Sequence, residues 1–584
     1  MKIRDIMHFF YLFRNYKNWI LYSIRIIFYP SFKLALCLSK QKIIKTTLFH
    51  IGLIALISFV GNNLSTQNSV TGFLEFSSEL PIVIINTDGQ TIMDEPKITA
   101  SLQIINNGIG QLNQSTDIPN EYDGFIGIEI RGATSSGYPQ TPYGFETRDE
   151  TGNNLNVPLL GMPEENDWTL LSHYNDKSFL RNLLGFMLFE KLGHYAPRAR
   201  LCEVIVNNEY QGIYLLTEKI KRDRNRLKIG TLNPEDNEGE ELTGGYIFKI
   251  DYYGSGDNWV SSFSPPGFPD FKVHFVYNYP KPDEITYQQK IYIQDYVNDF
   301  ETTLYGSDYK DEKKGFRSYI NEASFIDYFL VSEVSRNNDG FKKSRYFFKK
   351  KSRKLYAGPV WDFDWAWKNI NECDIFKATN GSGWAYRVNE YHPWVKSPGW
   401  MIRLLGDQNF SGNIYNRYFD LRETTFHKEF IFAIIDSVYS YVENAQERHF
   451  QRWQVLGRNV GAPEVDDQPN TYFGEVEKLK SWIDIRLQWL DKYMVGKAVI
   501  EDSVDETLVI YPNPASHSIM VKSEKNIEYI EVFDFMSRSV YSRYIYTEES
   551  KRINVTNFAS GVYIVRVAFA DKSVSNQKFI VARN

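Results

Sequence analysis

The sequence predicts an α+β chain that ends in a small all-β sandwich, and three patterns carry that prediction. Alternating apolar segments punctuated by turn residues run from Leu80 to Lys219, helical spacing of apolar residues dominates from Ile291 to Tyr493, and short alternating strands return after Leu508. At 584 residues, with 39 Tyr and 40 Phe, the chain has enough bulky apolar surface for more than one folded unit. Composition this ordinary excludes fibrous and disordered classes.

Residues 1–66 read as a basic leader and signal segment. The first 45 carry nine bases against one acid, Asp5, and the apolar run Leu48 to Val60 lies between Lys45 and the polar stretch that starts at Gly61. That run is shorter than the roughly 20 apolar residues of a spanning helix, so no stable transmembrane span is expected. A buried core helix is the alternative. Without the leader the balance is 57 bases to 71 acids, a net −14. No basic run interleaved with stacking aromatics offsets it, so nucleic acid is not an expected partner. Three cysteines, Cys37, Cys202 and Cys373, do not make a disulfide scaffold or a structural zinc site.

From Leu80 the chain reads as a strand, a turn over Asn86 to Gly89 and a return strand beginning before Ile92. Phe125 to Arg131 alternates and runs into Gly132-Ala-Thr-Ser-Ser-Gly137, after which Tyr143 to Glu146 resumes. Ser178 to Leu192 suits an amphipathic helix, and strands at Leu201 to Val206 and Gly212 to Lys219 join through Asn207-Asn208. Helices are expected at 291–305, 322–334, 427–444 and 472–493. Residues 496–507 form an acidic linker, and 508–584 an all-β unit with strands at 508–511, 518–521, 529–534, 539–544, 561–569 and 575–581.

The chemistry concentrates around Asn337-Asn-Asp339-Gly340. Strands at Arg345 to Lys349 and from Leu355 on, joined by the polar turn Lys350 to Lys354, make an antiparallel hairpin. Residues flanking a hairpin meet at its open end, so Asp339 and Asp362 should be neighbours, with Asp364 beside them. Converging carboxylates repel unless a proton or cation offsets them, and Mg²⁺ is satisfied by one or two carboxylates plus water and phosphate oxygens. The layout follows the phosphoryl-transfer template in which one Asp accepts a hydroxyl proton and a second, beyond a hairpin, holds the metal on the nucleotide. Equally, Asn337 to Gly340 reads as a plain turn and Asp362 as a helix cap. Spacing leaves both readings open. P-loop, zincin and α/β-hydrolase motifs are absent from the sequence.

The order of motifs resembles the spore coat protein H (CotH) family of atypical secreted kinases. The matching pieces are Arg131-Gly-Ala-Thr-Ser-Ser136, Leu159 to Trp168, Asp176-Lys-Ser-Phe-Leu-Arg-Asn182, Gln211 to Lys219, Gly244-Gly-Tyr-Ile-Phe-Lys-Ile-Asp251 and Gly358-Pro-Val-Trp-Asp-Phe-Asp364. The resemblance implies a divergent two-lobed protein-kinase-like domain over residues 80–495. It also implies ATP and Mg²⁺ or Mn²⁺ as cofactors, and Ser or Thr of exported proteins as the acceptor. Matched by position, Asp339 falls at the family's catalytic Asp and Asp362 at its metal-binding Asp, and the neighbouring Asp364 is a second candidate for the metal.

One departure stands out. Pro139-Gln-Thr-Pro-Tyr143 replaces a Pro-Lys-Lys-Ser-Tyr common in relatives, so another cation must meet the nucleotide phosphates. Lys219 is the candidate cation, and Lys219, the adjacent Glu218 and Arg131 are together the candidate cofactor-binding residues; a solvated strand-end lysine is the alternative for Lys219, and structural bracing the alternative for Arg131 and Arg181.

Tyr511-Pro-Asn-Pro-Ala515, Ile530 to Asp534 and Gly561 to Val565 resemble the type A sorting domain of the Bacteroidetes type IX secretion system, with Ser537 where many such domains carry Gly. That resemblance implies the type IX machinery as a partner and passage via the periplasm to the outer surface or the medium. A catalytically inactive kinase-like surface protein used for adhesion or assembly is the rival reading, and a metal-dependent hydrolase the third.

Overall fold

A computed structural model describes residues 75–391, 397–496, 508–534, 538–571 and 573–583. The leader with Cys37, Ser537, and the linker beyond Gly496 lie outside the described residues.

The first architectural unit is a closed seven-stranded barrel. Its strands are β1 (Ile82–Asn86), β2 (Ile98–Ile105), β3 (Tyr122–Ile130), β4 (Tyr143–Arg148), β5 (Asp167–Ser172), β6 (Ala199–Val206) and β7 (Glu209–Glu218). The order is β6-β7-β5-β4-β3-β2-β1, and parallel pairing of β1 with β6 closes the ring. Alternating residues point inward, so Val83, Leu102, Ile126, Phe145, Trp168 and Tyr214 fill the interior. Asn207 and Asn208 turn the β6–β7 hairpin with φ of 50° and 66°, the left-handed pair that Asn tolerates. The return strand after β1 begins at Ile98 rather than before Ile92. The intervening loop instead offers the Met93 carbonyl to the Ile130 amide at 2.7 Å.

Helix α1 (Arg181–Lys191) leaves the barrel after β5. A five-stranded sheet follows, built from β8 (Tyr246–Ile250), β9 (Asn258–Val260), β10 (His274–Tyr279), β11 (Arg345–Lys349) and β12 (Leu355–Ala357) in the order β9-β10-β8-β11-β12. The expected hairpin is β11–β12, with Phe347 opposite Ala357 and Lys349 opposite Leu355. Around it stand α2 (Tyr287–Tyr305), α3 (Glu322–Val334), α4 (Gln408–Arg422), α5 (Lys428–Tyr441), α6 (Glu443–Arg452) and α7 (Tyr472–Tyr493). α3 is buried along its whole length after the first turn, as its run Phe325-Ile-Asp-Tyr-Phe-Leu-Val331 requires. One continuous apolar core joins α1, α3, α7 and the sheet.

At the C-terminal end β13 (Leu508–Tyr511), β14 (Ser518–Asp534), β15 (Ser539–Asn554), β16 (Gly561–Phe569) and β17 (Val574–Val581) form one sheet. The segments expected as two strands at 518–521 and 529–534 are a single strand. Register shifts between Lys522 and Tyr529 absorb the charged Ser523-Glu-Lys-Asn526, which the alternation pattern alone reads as a break. Among the described residues no helix is long and apolar enough to cross a membrane.

Candidate active site

α3 ends at Val334, and Arg336 turns the chain in a left-handed conformation with φ of 43°. Its buried guanidinium donates to the carbonyls of Ala378 (2.9 Å), Ser382 (2.8 Å) and Phe376 (3.1 Å), and so staples the next three residues in place. Asn337 then works twice. Its Oδ1 accepts from the Asp339 amide at 3.0 Å, and its Nδ2 donates to the Asp362 carbonyl at 3.2 Å, bridging the two sides of the hairpin. The Asp339 carbonyl accepts the amides of Lys342 and Lys343, both at 2.9 Å, which curls the chain so that both lysine ammoniums lie 3.4 Å from the Asp339 carboxylate.

Beyond the hairpin, Asp362 is left-handed at φ 66°, a conformation a non-glycine residue holds only when its surroundings over-determine it. Three contacts do so: Ser344 Oγ donates to Asp362 Oδ2 at 2.9 Å, Asn182 Oδ1 accepts from the Phe363 amide at 2.8 Å, and Asn337 holds the Asp362 carbonyl. Asn175 Nδ2 donates to both the carbonyl and Oδ2 of Asp364 at 3.1 Å. Phe363 points into the core against α1, where a side chain on Gly185 would meet its ring at 2.4 Å.

Asp339, Asp362 and Asp364 line one cleft of about 620 Å³ with Arg131, Lys249 and Lys343. Burial pushes the Asp339 carboxyl up to about 6 against the pull of Lys342 and Lys343, and repulsion from Asp362 adds to the rise. Burial and the neighbouring Asp364 push Asp362 up to about 7, and Asp364 is raised too, mainly by burial. A carboxylate pair in this condition calls for a proton or a cation.

The residues fit a divalent ion. Among the described residues no group of three or more His, Cys, Asp or Glu is placed to hold a metal ion, so any ion here would rest on two carboxylates and non-ionic oxygens. Asp362 and Asp364 would supply the one or two carboxylates that Mg²⁺ takes while leaving positions for water and phosphate. Asn338 Oδ1, buried in the same cleft without a hydrogen-bond partner, is a further hard oxygen.

The structure thus brings together Arg131, Asp339, Asp362 and Asp364 and leaves two expected residues outside. Arg131 donates to Thr169 Oγ1 at 2.6 Å and lies over the Trp361 ring, facing the cleft. Glu218 is fully buried on the other side of its strand, bound by Arg198 at 2.6 Å and by the Tyr195 hydroxyl at 3.1 Å. It braces the barrel wall and does not reach the cleft. Lys219 is half-exposed, 3.5 Å from Asp167, and lines a neighbouring cavity of about 200 Å³. Arg181 is buried in a pair with Asp176 at 2.5 Å, which is bracing.

Gln140 is also structural. Its Nε2 donates to the carbonyls of Gln211 (3.1 Å) and Ile213 (2.9 Å), and its Oε1 accepts from the His173 amide at 2.9 Å. The cleft cations not expected from the sequence are Lys249, 2.8 Å from Asp251, and the pair Lys342 and Lys343. Lys249 stood in the Gly244 to Asp251 segment, and spacing three and four residues after Asp339 was the signal for the lysine pair.

Residues 128–490, more than half of the chain, match the family described as CotH kinase protein. The chain belongs to the CotH kinase family. The match takes in every carboxylate and cation of the cleft named above; Asp94, in the loop before β2, is the lining residue that falls outside it. Residues 509–582 match the secretion system C-terminal sorting domain, which marks this CotH-family chain for export by the type IX machinery to the cell surface or the medium. No curated protein matches the chain.

Proposed function

We propose that this CotH-family protein is an exported phosphotransferase that moves the γ-phosphoryl group of ATP to Ser or Thr of exported proteins, with the barrel and the sheet-and-helix body acting as two lobes. The observation that carries this reading is the convergence of Asp339 and the Asp362–Asp364 pair on one cleft that also holds Arg131 and Lys249. In the proposal Asp339 accepts the acceptor hydroxyl's proton, at a carboxyl that is ionised above pH of about 6. Arg131 and Lys249 meet phosphate oxygens, the role sequence reasoning gave to Lys219. Asp362 and Asp364 hold Mg²⁺ or Mn²⁺, which when bound neutralises phosphate charge. Ser344, Asn337, Asn175 and Asn182 fix the positions of these carboxylates, and phosphoryl transfer depends mainly on such positioning.

Incorporation of labelled γ-phosphate by the wild type, Asp339→Ala and Asp362→Ala proteins tests the reading. Loss of label in both variants, with unchanged melting of the Asp339→Ala protein, supports it, and equal labelling in all three overturns it. The rival, a kinase-like scaffold without turnover, is favoured by Gln140, an uncharged side chain whose amide is bonded to the Gln211 and Ile213 carbonyls and the His173 amide. A ligand that binds only the native state raises its stability, so millimolar ATP with Mg²⁺ that leaves the melting temperature unchanged would favour the scaffold.

A further inference from the structure

The two lysines that flank Asp339 are not equivalent. Lys342 Nζ is 3.4 Å from Asp339 Oδ1 and also ion-pairs with Glu372, whose other oxygen accepts from Asn338 Nδ2 at 2.9 Å. Its side chain is 4% exposed, and its charge is matched by Glu372 whatever Asp339 does. Lys343 Nζ is 3.4 Å from Asp339 Oδ2 and lies 5.4 Å from the centre of the Tyr252 ring. Asp339 is the carboxylate it pairs with among the described residues, and its side chain, 23% exposed, lines the cleft between Asp339 and Asp362. Lys342 keeps its Glu372 ion pair whatever Asp339 does; Lys343 loses its close ion pair when Asp339 is protonated and keeps only the longer-range attraction of Asp362.

We propose that Lys343 is a catalytic cation whose charge passes from Asp339 to the transferring phosphoryl group during the reaction, an inference that rests on the phosphotransfer reading above. The acceptor hydroxyl gives its proton to Asp339 Oδ2 as its oxygen bonds to the γ-phosphorus and the bond from that phosphorus to the β–γ bridging oxygen breaks, with ADP leaving. Protonation removes the anion that Lys343 was paired with. Its ammonium, released from that ion pair and lining the cleft beside Asp362, is then available to the equatorial oxygens of the phosphoryl group. A cation released only as the transition state forms stabilises that state more than bound ATP, so its contribution belongs in kcat. Lys343 also supplies, from the Asp339 loop, a positive charge on the cleft that Gln140 does not.

The test is steady-state transfer from ATP with Mn²⁺ to dephosphorylated casein by the full chain, comparing wild type, Lys343→Met, Lys343→Gln and Lys343→Arg. The expected result is a kcat lower by roughly 100-fold or more in the Met and Gln variants, with KM for ATP within about threefold of wild type and partial recovery in the Arg variant. Melting temperatures and Mn²⁺·ATP-induced shifts near wild type certify that the variants are folded and load nucleotide. A kcat within about threefold of wild type in the Gln variant, or a loss confined to KM, overturns the proposal. Wild-type transfer that Asp339→Ala abolishes sustains the kinase reading whichever way Lys343 falls; a wild type without transfer overturns both.

Discussion

Ser344 Oγ donates a 2.9 Å hydrogen bond to Asp362 Oδ2, tying the loop that carries Asp339 to the loop beyond the β11–β12 hairpin. The bond favours the ionised form of Asp362, against burial and Asp364. Ser344→Ala therefore lifts the Asp362 carboxyl further above 7 and loosens the left-handed turn it occupies. Loss of a partner that orients a metal carboxylate lowers metal affinity by about 10–100-fold. Titration of Mn²⁺ at fixed ATP should show a deficit of that order at pH 7 that narrows by pH 8.5, and an unchanged Mn²⁺ requirement would contradict it.

With saturating metal, which displaces the proton from its ligands, the remaining acid limb of kcat/KM belongs to Asp339. Its carboxyl is raised to about 6, so activity rises with pH through that value and levels above it. Lys342→Met removes a cation that favours the anion and leaves Glu372 beside it without that partner. The limb should move up by about one pH unit, because a like charge disfavours ionisation. A pH–rate series on both proteins measures the displacement, and a limb that stays put assigns the titration to another group.

Local signals made much of this arrangement legible. α3 and α7 begin and end where the apolar spacing places them, since Asn321 and Thr471 cap their first turns through their side chains. The meeting of Asp339 and Asp362 followed from the basic turn between two short strands. Lys249 was not legible as a cleft residue, because what carries it there is pairing of β8 with β11, Lys249 opposite Tyr346. Glu218 and Lys219 misled for a related reason. Successive strand residues face opposite ways, and only the closed barrel decides that Glu218 points to Arg198 and Lys219 to Asp167. Gln140 reads as a lost cation in one dimension and as a satisfied core amide in three.

Gly185 sits in the middle of α1, where Gly→Ala ordinarily stabilises a helix by about 1 kcal/mol. Here an added Cβ would lie 2.4 Å from the ring of Phe363, which stands between Asp362 and Asp364 in sequence. Overpacking of this kind costs about 1–3 kcal/mol and should outweigh the helical gain. Gly185→Ala is expected to melt lower than wild type and to lose transfer activity by more than its small stability change explains. A stabilised, fully active variant would mean that Phe363 is free to move without carrying Asp362 and Asp364.

The carboxylate cluster should also weaken the metal-free fold, and the sign can be worked from Asp362. In the unfolded chain its carboxyl ionises near the usual value, about 3.9, whereas in the fold it does so at about 7. Between those limits the native state binds the extra proton, so stability falls as pH rises from about 4 to 7 and the deficit is complete above 7. Asp362→Asn removes that titration while keeping the size of the side chain and an acceptor for Ser344. At pH 8 without metal the Asn variant should be more stable than wild type, by about 2–4 kcal/mol at most, and near pH 4 the two should converge. Adding Mn²⁺ and ATP should reverse the order, because the wild type gains ligand stabilisation that the variant cannot. Paired melts at both pH values, with and without ligand, check each step; a wild type that is the more stable protein at pH 8 without metal would show that the cleft already neutralises Asp362 by other means.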